Sequence, residues 1–162
     1  RSIGWYMMAM VDALDFIPKD HPKREEIISI FRDLCNSIEK YRDSETGMWY
    51  QVTDQMDREG NYLESSGSAM FIYSWIKGAQ KGYLSEDYLD KGTKAYDQFV
   101  TRFIKENEAG TISLTDGCAV AGLGGEKNYR DGSYEYYINE PVRDNDPKAV
   151  SPFIMLSIML DK

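Results

Sequence analysis

The sequence has 162 residues, with 27 acidic against 19 basic side chains and a net charge of −8. This length is typical of one domain, and 42% hydrophobic residues can form its core, which excludes a disordered or collagen-like chain. The longest run of basic residues is the pair Lys23 and Arg24, so the charge pattern argues against a nucleic-acid partner. Apolar runs are shorter than the ~18 residues of a membrane span, so we expect no membrane partner either.

The histidine and cysteine content argues against zinc sites and metal sites with several histidines. His21 is the only histidine, so zinc motifs with several histidines are impossible. Cys35 and Cys118 stand far apart, outside any CxxC unit, and are predicted to be buried free thiols. The stretch 54–60 resembles a calcium loop only loosely, because two ligand positions carry Met and Arg. We therefore predict no metal and no cofactor, and a cytoplasmic location with the periplasm as the alternative.

Apolar periodicity predicts five helices in chain order, over 2–16, 22–41, 65–81, 85–105 and 147–160. The first, third and fifth are apolar nearly all round, which is typical of buried helices, whereas the second and fourth have one apolar stripe. This alternation indicates inner helices backed by outer helices. The sequence therefore predicts part of an α/α toroid built from helical hairpins, with the first, third and fifth helices the more buried.

The connections differ in length in a regular way. Links that follow the inner helices are short, whereas the segments 42–64 and 106–146, which precede inner helices, are long. All long loops therefore meet at one end of the helices, called the rim below, where the inner helices begin. Within these loops, 48–52, 111–114 and 133–137 alternate in polarity near turn residues and are predicted to be short strands. The expected fold is mainly α with small β excursions.

The rim residues combine aromatic rings with charged groups. Flat rings stack on the apolar face of a pyranose, a guanidinium pairs with a uronate carboxylate, and two carboxylates can act as general acid and base in glycosidic chemistry. We therefore predict a sugar site at the rim. The rim residues are Arg1, Trp5, Trp49, Tyr50, Asp54, Asp57, Glu64, Tyr129, Arg130, Asp131, Tyr134, Glu135, Tyr136, Tyr137, Glu140, Asp144 and Asp146.

Several blocks keep the order and spacing of a known family. They are GMWYQV at 47–52, REGNYLESSGSAM at 58–70, RDGSYEYY at 130–137 and NDPK at 145–148. These blocks resemble the unsaturated rhamnogalacturonyl hydrolases of glycoside hydrolase family 105. The resemblance implies that residues 1–162 form one domain, the C-terminal portion of an (α/α)6 toroid that five helices cannot close.

The resemblance also implies roles for rim residues. The family block Arg-Gly-Asn-x-Trp places its arginine and tryptophan at the substrate, and these positions correspond to Arg1 and Trp5. This sequence departs from the block at Ser2 and Ile3. Trp49 and Glu64 lie in the matching blocks just before the third helix. The implied substrate-binding residues, all expected on one rim, are Arg1, Trp5, Trp49 and Glu64.

The implied reaction is a metal-independent hydration of the C4–C5 double bond in a terminal unsaturated galacturonyl residue, in oligosaccharides derived from the pectin rhamnogalacturonan. The family's acid/base aspartate precedes the block that begins with Arg1. We therefore expect no catalytic residue within 1–162, no turnover by these residues alone, and self-association through apolar flanks. The alternatives are another α/α-toroid sugar enzyme, such as a lyase or an epimerase, and a non-catalytic helical module that binds glycan or protein.

Overall fold

The helices of the computed structural model, which describes residues 1–127 and 129–161, lie in two rows. The helices are α1 (Ser2–Ala13), α2 (Arg24–Glu39), α3 (Ser65–Gln80), α4 (Asp87–Phe103), α5 (Tyr134–Asn139) and α6 (Pro147–Met159). The inner row has α3 in the middle, between α1 and α6, while α2 packs on α1 and α4 packs on α3. This arrangement matches the predicted inner and outer helices of a partial α/α toroid.

Close backbone approaches hold the rows together. Gly4 of α1 faces Met70 of α3 so closely that an added Cβ would lie 2.8 Å from the Met70 Cβ. Gly92 of α4 likewise faces Ile76 of α3, where an added Cβ would lie 2.5 Å from Cγ1. These glycines let α1 and α4 pack tightly against α3, which is buried along nearly its whole length.

Two inner helices begin with a carboxylate cap. Glu64 precedes α3 and accepts hydrogen bonds from the backbone N–H groups of Ser66 and Gly67. Asp146 precedes α6 and accepts from the Lys148 N–H, with Pro147 at the first helical position. A carboxylate at a helix N-terminus satisfies free N–H groups and interacts favourably with the helix dipole. These caps fix the positions at which the long loops end and the inner helices begin.

Short antiparallel strands occupy the second long loop. They are β1 (Ile104–Glu106) with β2 (Ile112–Leu114), where Ile104 lies opposite Leu114, and β3 (Gly117–Cys118) with β4 (Val142–Arg143), where Gly117 lies opposite Arg143. The strand predicted at 111–114 is confirmed. The strand predicted at 48–52 is wrong, because only Tyr50 forms a bridge, with Leu63.

The strand predicted at 133–137 is also wrong, because this segment begins the helix α5. Ser133 caps α5, and its hydroxyl accepts a hydrogen bond from the Tyr136 N–H at 3.1 Å. The Tyr134 hydroxyl donates toward the carbonyls of Arg58 and Glu59, at 2.9 and 3.0 Å. A serine cap and these tertiary bonds outweigh the β propensity of three tyrosines.

Burial follows the predicted alternation only in part. The middle inner helix, α3, is buried as predicted, but α1 exposes Ile3 and Tyr6, and α6 exposes Ile154 and Ile158. The prediction that α6 is more buried than the outer helices is therefore wrong for this chain. The reason is its position: α1 and α6 end the inner row, so α3 covers only one side of each.

Both cysteines are buried and free, as predicted. Burial raises the pKa of the Cys35 thiol, so this side chain stays protonated and packs as a small apolar group. In the described residues, no helix is both long and apolar enough to cross a membrane. Within the same residues, no group of three or more His, Cys, Asp or Glu side chains is arranged to hold a metal ion.

Candidate functional site

A pocket of about 270 Å³ opens at the rim, where α1, α3 and α6 begin. Its walls come from the first turns of α1 and α6, from the first long loop, from the segment after β3 and from α5. The lining residues are Arg1, Ser2, Trp5, Gln51, Ala119, Val120, Ala121, Tyr137 and Lys148. The pocket therefore combines cations, an indole, an amide and a phenol with a short apolar wall.

A smaller pocket of about 180 Å³ adjoins it, and the two share Arg1, Ser2, Gln51 and Tyr137 as walls. The additional lining residues of the smaller pocket are Ile3, Val52, Thr53, Asp54 and Phe71. Since Arg1 and Gln51 face both spaces, a ligand longer than one sugar ring can contact them from either side.

The Arg1 guanidinium is held by neutral acceptors. Its Nη1 donates to the carbonyl oxygen of Cys118 and lies 3.5 Å from the Ser66 Oγ. Among residues 1–127 and 129–161, no ion pair joins the Arg1 side chain to a carboxylate. The guanidinium is thus oriented without a direct ion pair, which leaves it able to pair with an anionic ligand.

The two rim tryptophans have different surroundings. Trp5 lies one turn into α1, lines the pocket, and is 45% exposed. Trp49 is only 1% exposed: its ring packs edge-on against Phe71 and Trp75, with centroids 5.2 Å away in each case, and its Nε1 donates to the Ile38 carbonyl at 2.8 Å. Trp5 offers a face for stacking, whereas Trp49 belongs to the core behind the wall.

Glu64 also lies behind the pocket wall, with 2% of its surface exposed. Its backbone N–H donates to the Trp49 carbonyl at 2.9 Å, so the two residues are neighbours. Its carboxylate interacts with the start of α3 and with the Cys118 backbone. The structure thus brings Arg1, Trp49 and Glu64 together at the rim where Trp5 also lies, with Arg1 and Trp5 facing the pocket.

Sequence reasoning assigned no role to Gln51 or Lys148, although both line the pocket. The Gln51 Nε2 lies 3.2 Å from the Cys118 Sγ. The Lys148 Nζ lies 2.8 and 3.0 Å from the two Asp146 oxygens. Both residues stand inside the blocks that resemble family 105, so position within a block was the available signal.

Asp146 combines burial with strong partners. Burial alone raises the pKa of the Asp146 carboxyl, but hydrogen bonds from the Lys148 side chain and backbone, with the charges of Lys148 and Arg143, lower it below its ordinary value. The carboxylate therefore remains ionised, holding Lys148 against the first turn of α6 at the pocket edge.

Asp146→Asn should reduce stability near neutral pH by about 1–3 kcal/mol, because it weakens the cap and the ion pair. Since the folded-state pKa of Asp146 lies below the unfolded value of about 3.9, its contribution is full above that value and is lost as pH falls through the folded-state pKa. Urea unfolding at several pH values should therefore show a wild-type advantage that shrinks below about pH 4. Asp144→Asn, which changes an exposed neighbouring carboxylate, is the control. A stability difference between the wild type and Asp146→Asn that stays the same at low pH would contradict the expectation.

The paired rows of helices form part of an α/α toroid, and the pocket lies at the N-terminal ends of its inner row. The family model described as Glycosyl Hydrolase Family 88 matches residues 1–162. The chain therefore belongs to glycosyl hydrolase family 88 as that model defines it. This is a family of glycosidases.

The chain is also similar to individual proteins and solved structures. A protein of Agrobacterium fabrum strain C58, named Protein Atu3128, is 39% identical over 160 residues, covering 96% of this chain and 68% of that protein. The structure of a family 105 glycoside hydrolase from C. acetobutylicum ATCC 824 is 42% identical, with a TM-score of 0.96 over 99% of this chain. A possible family 105 member from Salmonella enterica, 19% identical with a TM-score of 0.76 over 98% of this chain and 38% of that one, shares the fold.

These matches confirm the resemblance to the family 105 hydrolases. They also set its extent, because the chain spans 44% of the length of the C. acetobutylicum structure.

Proposed function

We propose that this chain supplies part of the substrate site of an unsaturated rhamnogalacturonyl hydrolase and binds the terminal unsaturated uronyl residue of its substrate. The observation that carries the proposal is the Arg1 guanidinium, held by neutral acceptors and lining a pocket beside the half-exposed Trp5. A planar fork of donors matches a uronate carboxylate, and an exposed indole matches the apolar face of a sugar ring. Arg1 and Trp5 are the proposed contacts, with Trp49 and Glu64 supporting them from behind.

The proposed reaction adds water across the C4–C5 double bond. A proton is added to C4 and a hydroxyl to C5, and the resulting hemiketal opens with loss of the attached sugar. The family resemblance assigns the proton transfers to an aspartate that precedes the Arg1 block. Arg1 holds the uronate carboxylate and Trp5 stacks on its ring, so that together they orient it toward that group.

The test uses the full product of the gene that encodes this sequence, with an unsaturated galacturonyl-rhamnose disaccharide. Hydration removes the conjugated double bond, so its ultraviolet absorbance should fall while free rhamnose appears. The saturated galacturonyl-rhamnose disaccharide is the control and should not react. Release of rhamnose from the saturated control would contradict the proposal.

The same absorbance and product measurements, made with intact rhamnogalacturonan as well as with the disaccharide, separate the alternatives. A lyase acting on intact rhamnogalacturonan creates the double bond, so the absorbance would rise. An epimerase would leave the absorbance unchanged but alter the sugar configuration. A non-catalytic module would bind the disaccharide without changing it. Each of these results would contradict the proposed hydrolase activity.

Arg1→Gln should weaken binding of the unsaturated disaccharide by roughly 10- to 100-fold, because a charge-assisted pair with the carboxylate is lost. Arg1→Lys should weaken it less, since the charge remains but the planar fork is lost. Calorimetric titration measures both variants, with the acid/base aspartate that the family resemblance assigns replaced by asparagine so that the ligand is not consumed. The methyl ester of the disaccharide is the matched neutral ligand. Equal losses for acid and ester would show that Arg1 does not contact the carboxylate.

A further inference from the structure

Behind the pocket, the Glu64 carboxylate links the start of α3 to the segment that follows β3. Its Oε1 accepts hydrogen bonds from the Ser66 N–H at 3.1 Å, the Ser66 hydroxyl at 2.6 Å and the Cys118 N–H at 2.9 Å. Its Oε2 accepts from the Gly67 N–H at 2.7 Å. A buried carboxylate is tolerated only when such bonds replace its hydration, and these four donors do so.

The bonds of Glu64 continue directly to Arg1. The Cys118 residue that donates its N–H to Glu64 also offers its carbonyl to the Arg1 Nη1. The other end of that peptide unit is fixed as well, because the Ala119 N–H donates to the Pro141 carbonyl at 2.8 Å. The carbonyl that orients the guanidinium is therefore anchored on both sides.

A second route runs through Ser66. Its hydroxyl donates to Glu64 Oε1, which leaves the oxygen lone pairs to face the Arg1 Nη1 at 3.5 Å. Arg1 thus meets acceptors whose positions both depend on the same carboxylate. Because the Glu64 carboxylate is buried, it does not touch a ligand in the pocket, and these neighbours connect it to the Arg1 side chain.

We propose that Glu64 is a positioning residue that aims the Arg1 guanidinium into the pocket and thereby sets its preference for a uronate over a neutral sugar. Glu64 acts through the Cys118 backbone and the Ser66 hydroxyl, without touching the ligand. The identity of the ligand rests on the proposed function, whereas the effect of Glu64 on Arg1 stands on the geometry of this chain.

Two variants separate positioning from helix capping. Glu64→Asp keeps a charged cap for α3, since aspartate is a favoured cap, but its side chain is one methylene shorter and withdraws from the Cys118 N–H. Glu64→Gln keeps the length but turns an amide NH₂ toward backbone donors, which disrupts the cap as well. Ile76→Val, in the core away from the pocket, is the control for a general loss of stability.

The experiment titrates the full gene product with the unsaturated galacturonyl-rhamnose disaccharide and with its methyl ester. The acid/base aspartate that the family resemblance assigns is replaced by asparagine in every sample, so that the ligand is not consumed. Glu64→Asp should lower affinity for the acid by about 10-fold and for the ester by less than about 2-fold, because only the carboxylate depends on the Arg1 direction. Ile76→Val should change both affinities equally. In the variant Arg1→Gln, adding Glu64→Asp should lower the affinity for the acid little further, since both substitutions act on the contact between Arg1 and the ligand carboxylate.

A ligand-free measurement accompanies the titration. In nitrogen-15 spectra, the Arg1 guanidinium protons, assigned with Arg1→Lys, should exchange slowly with water in the wild type and lose this protection in Glu64→Asp. Equal loss of acid and ester binding, or unchanged Arg1 exchange in Glu64→Asp, would overturn the positioning role. If the wild type binds neither sugar, the proposed function fails, while the exchange measurement still decides the role of Glu64.

Discussion

Trp49→Ala should destabilise the chain by about 3–5 kcal/mol, the range for removing a large buried aromatic side chain. The Trp49 ring lies between Phe71 and Trp75, so its loss opens a cavity beside α3. The variant also removes the hydrogen bond from Trp49 Nε1 to the Ile38 carbonyl near the end of α2, which then accepts only from backbone N–H groups such as that of Tyr41, at 3.2 Å. Equilibrium unfolding in urea, followed by circular dichroism, measures the change.

Trp5→Ala is the matched control for this experiment, because Trp5 is the same residue type in the pocket wall and is half-exposed. It should change stability by less than about 1 kcal/mol. It should instead weaken binding of the unsaturated disaccharide by about 10-fold, through loss of the stacking surface. If Trp49→Ala leaves stability unchanged and weakens binding, Trp49 contacts the sugar and the division between wall and core is wrong.

Hydrophobic periodicity predicted the five long helices to within a few residues at each end. The prediction for 2–16 extends beyond α1, which ends at Ala13. Phe16, which the prediction included, is 88% exposed. Alternating polarity predicted a strand where α5 forms. The Ser133 cap of α5 is a local signal, whereas the bonds from Tyr134 to the Arg58 and Glu59 carbonyls depend on a distant loop. Periodicity identifies elements that pack along their length, whereas tertiary contacts decide short ones.

The rim itself was predictable, because long loops that precede inner helices meet at one end. Which side chains face the pocket was not. Trp5 and Trp49 both belong to matching blocks, yet only their packing shows that one ring is exposed and the other buried. Gln51 faces the pocket because Tyr50 bridges to Leu63 and turns the next side chain outward, a register that the sequence does not reveal.

A polypeptide of residues 1–162 alone should self-associate at micromolar concentration. One open flank carries Ile3 and Tyr6 of α1 with Ile30 of α2, around a groove of about 340 Å³. The other carries Ile154 and Ile158 of α6, the latter 73% exposed. Apolar patches of this kind are usually covered by a partner surface, and a second copy of the chain offers both flanks. Light scattering should give a mass above the 18.6 kDa of one chain.

Charged substitutions on the flanks decide whether these surfaces cause the association. Ile158→Lys and Ile30→Lys should each shift the equilibrium toward the monomer, because a lysine in a buried contact must be desolvated without a partner. Ile112→Lys is the control, since Ile112 is also exposed but lies on β2, away from both flanks. Its association should equal that of the wild type. If the wild-type chain is monomeric, or if both flank variants still associate, the flanks do not pair. A monomer would also show that the apolar faces of α1 and α6 are stable in water at their present exposure.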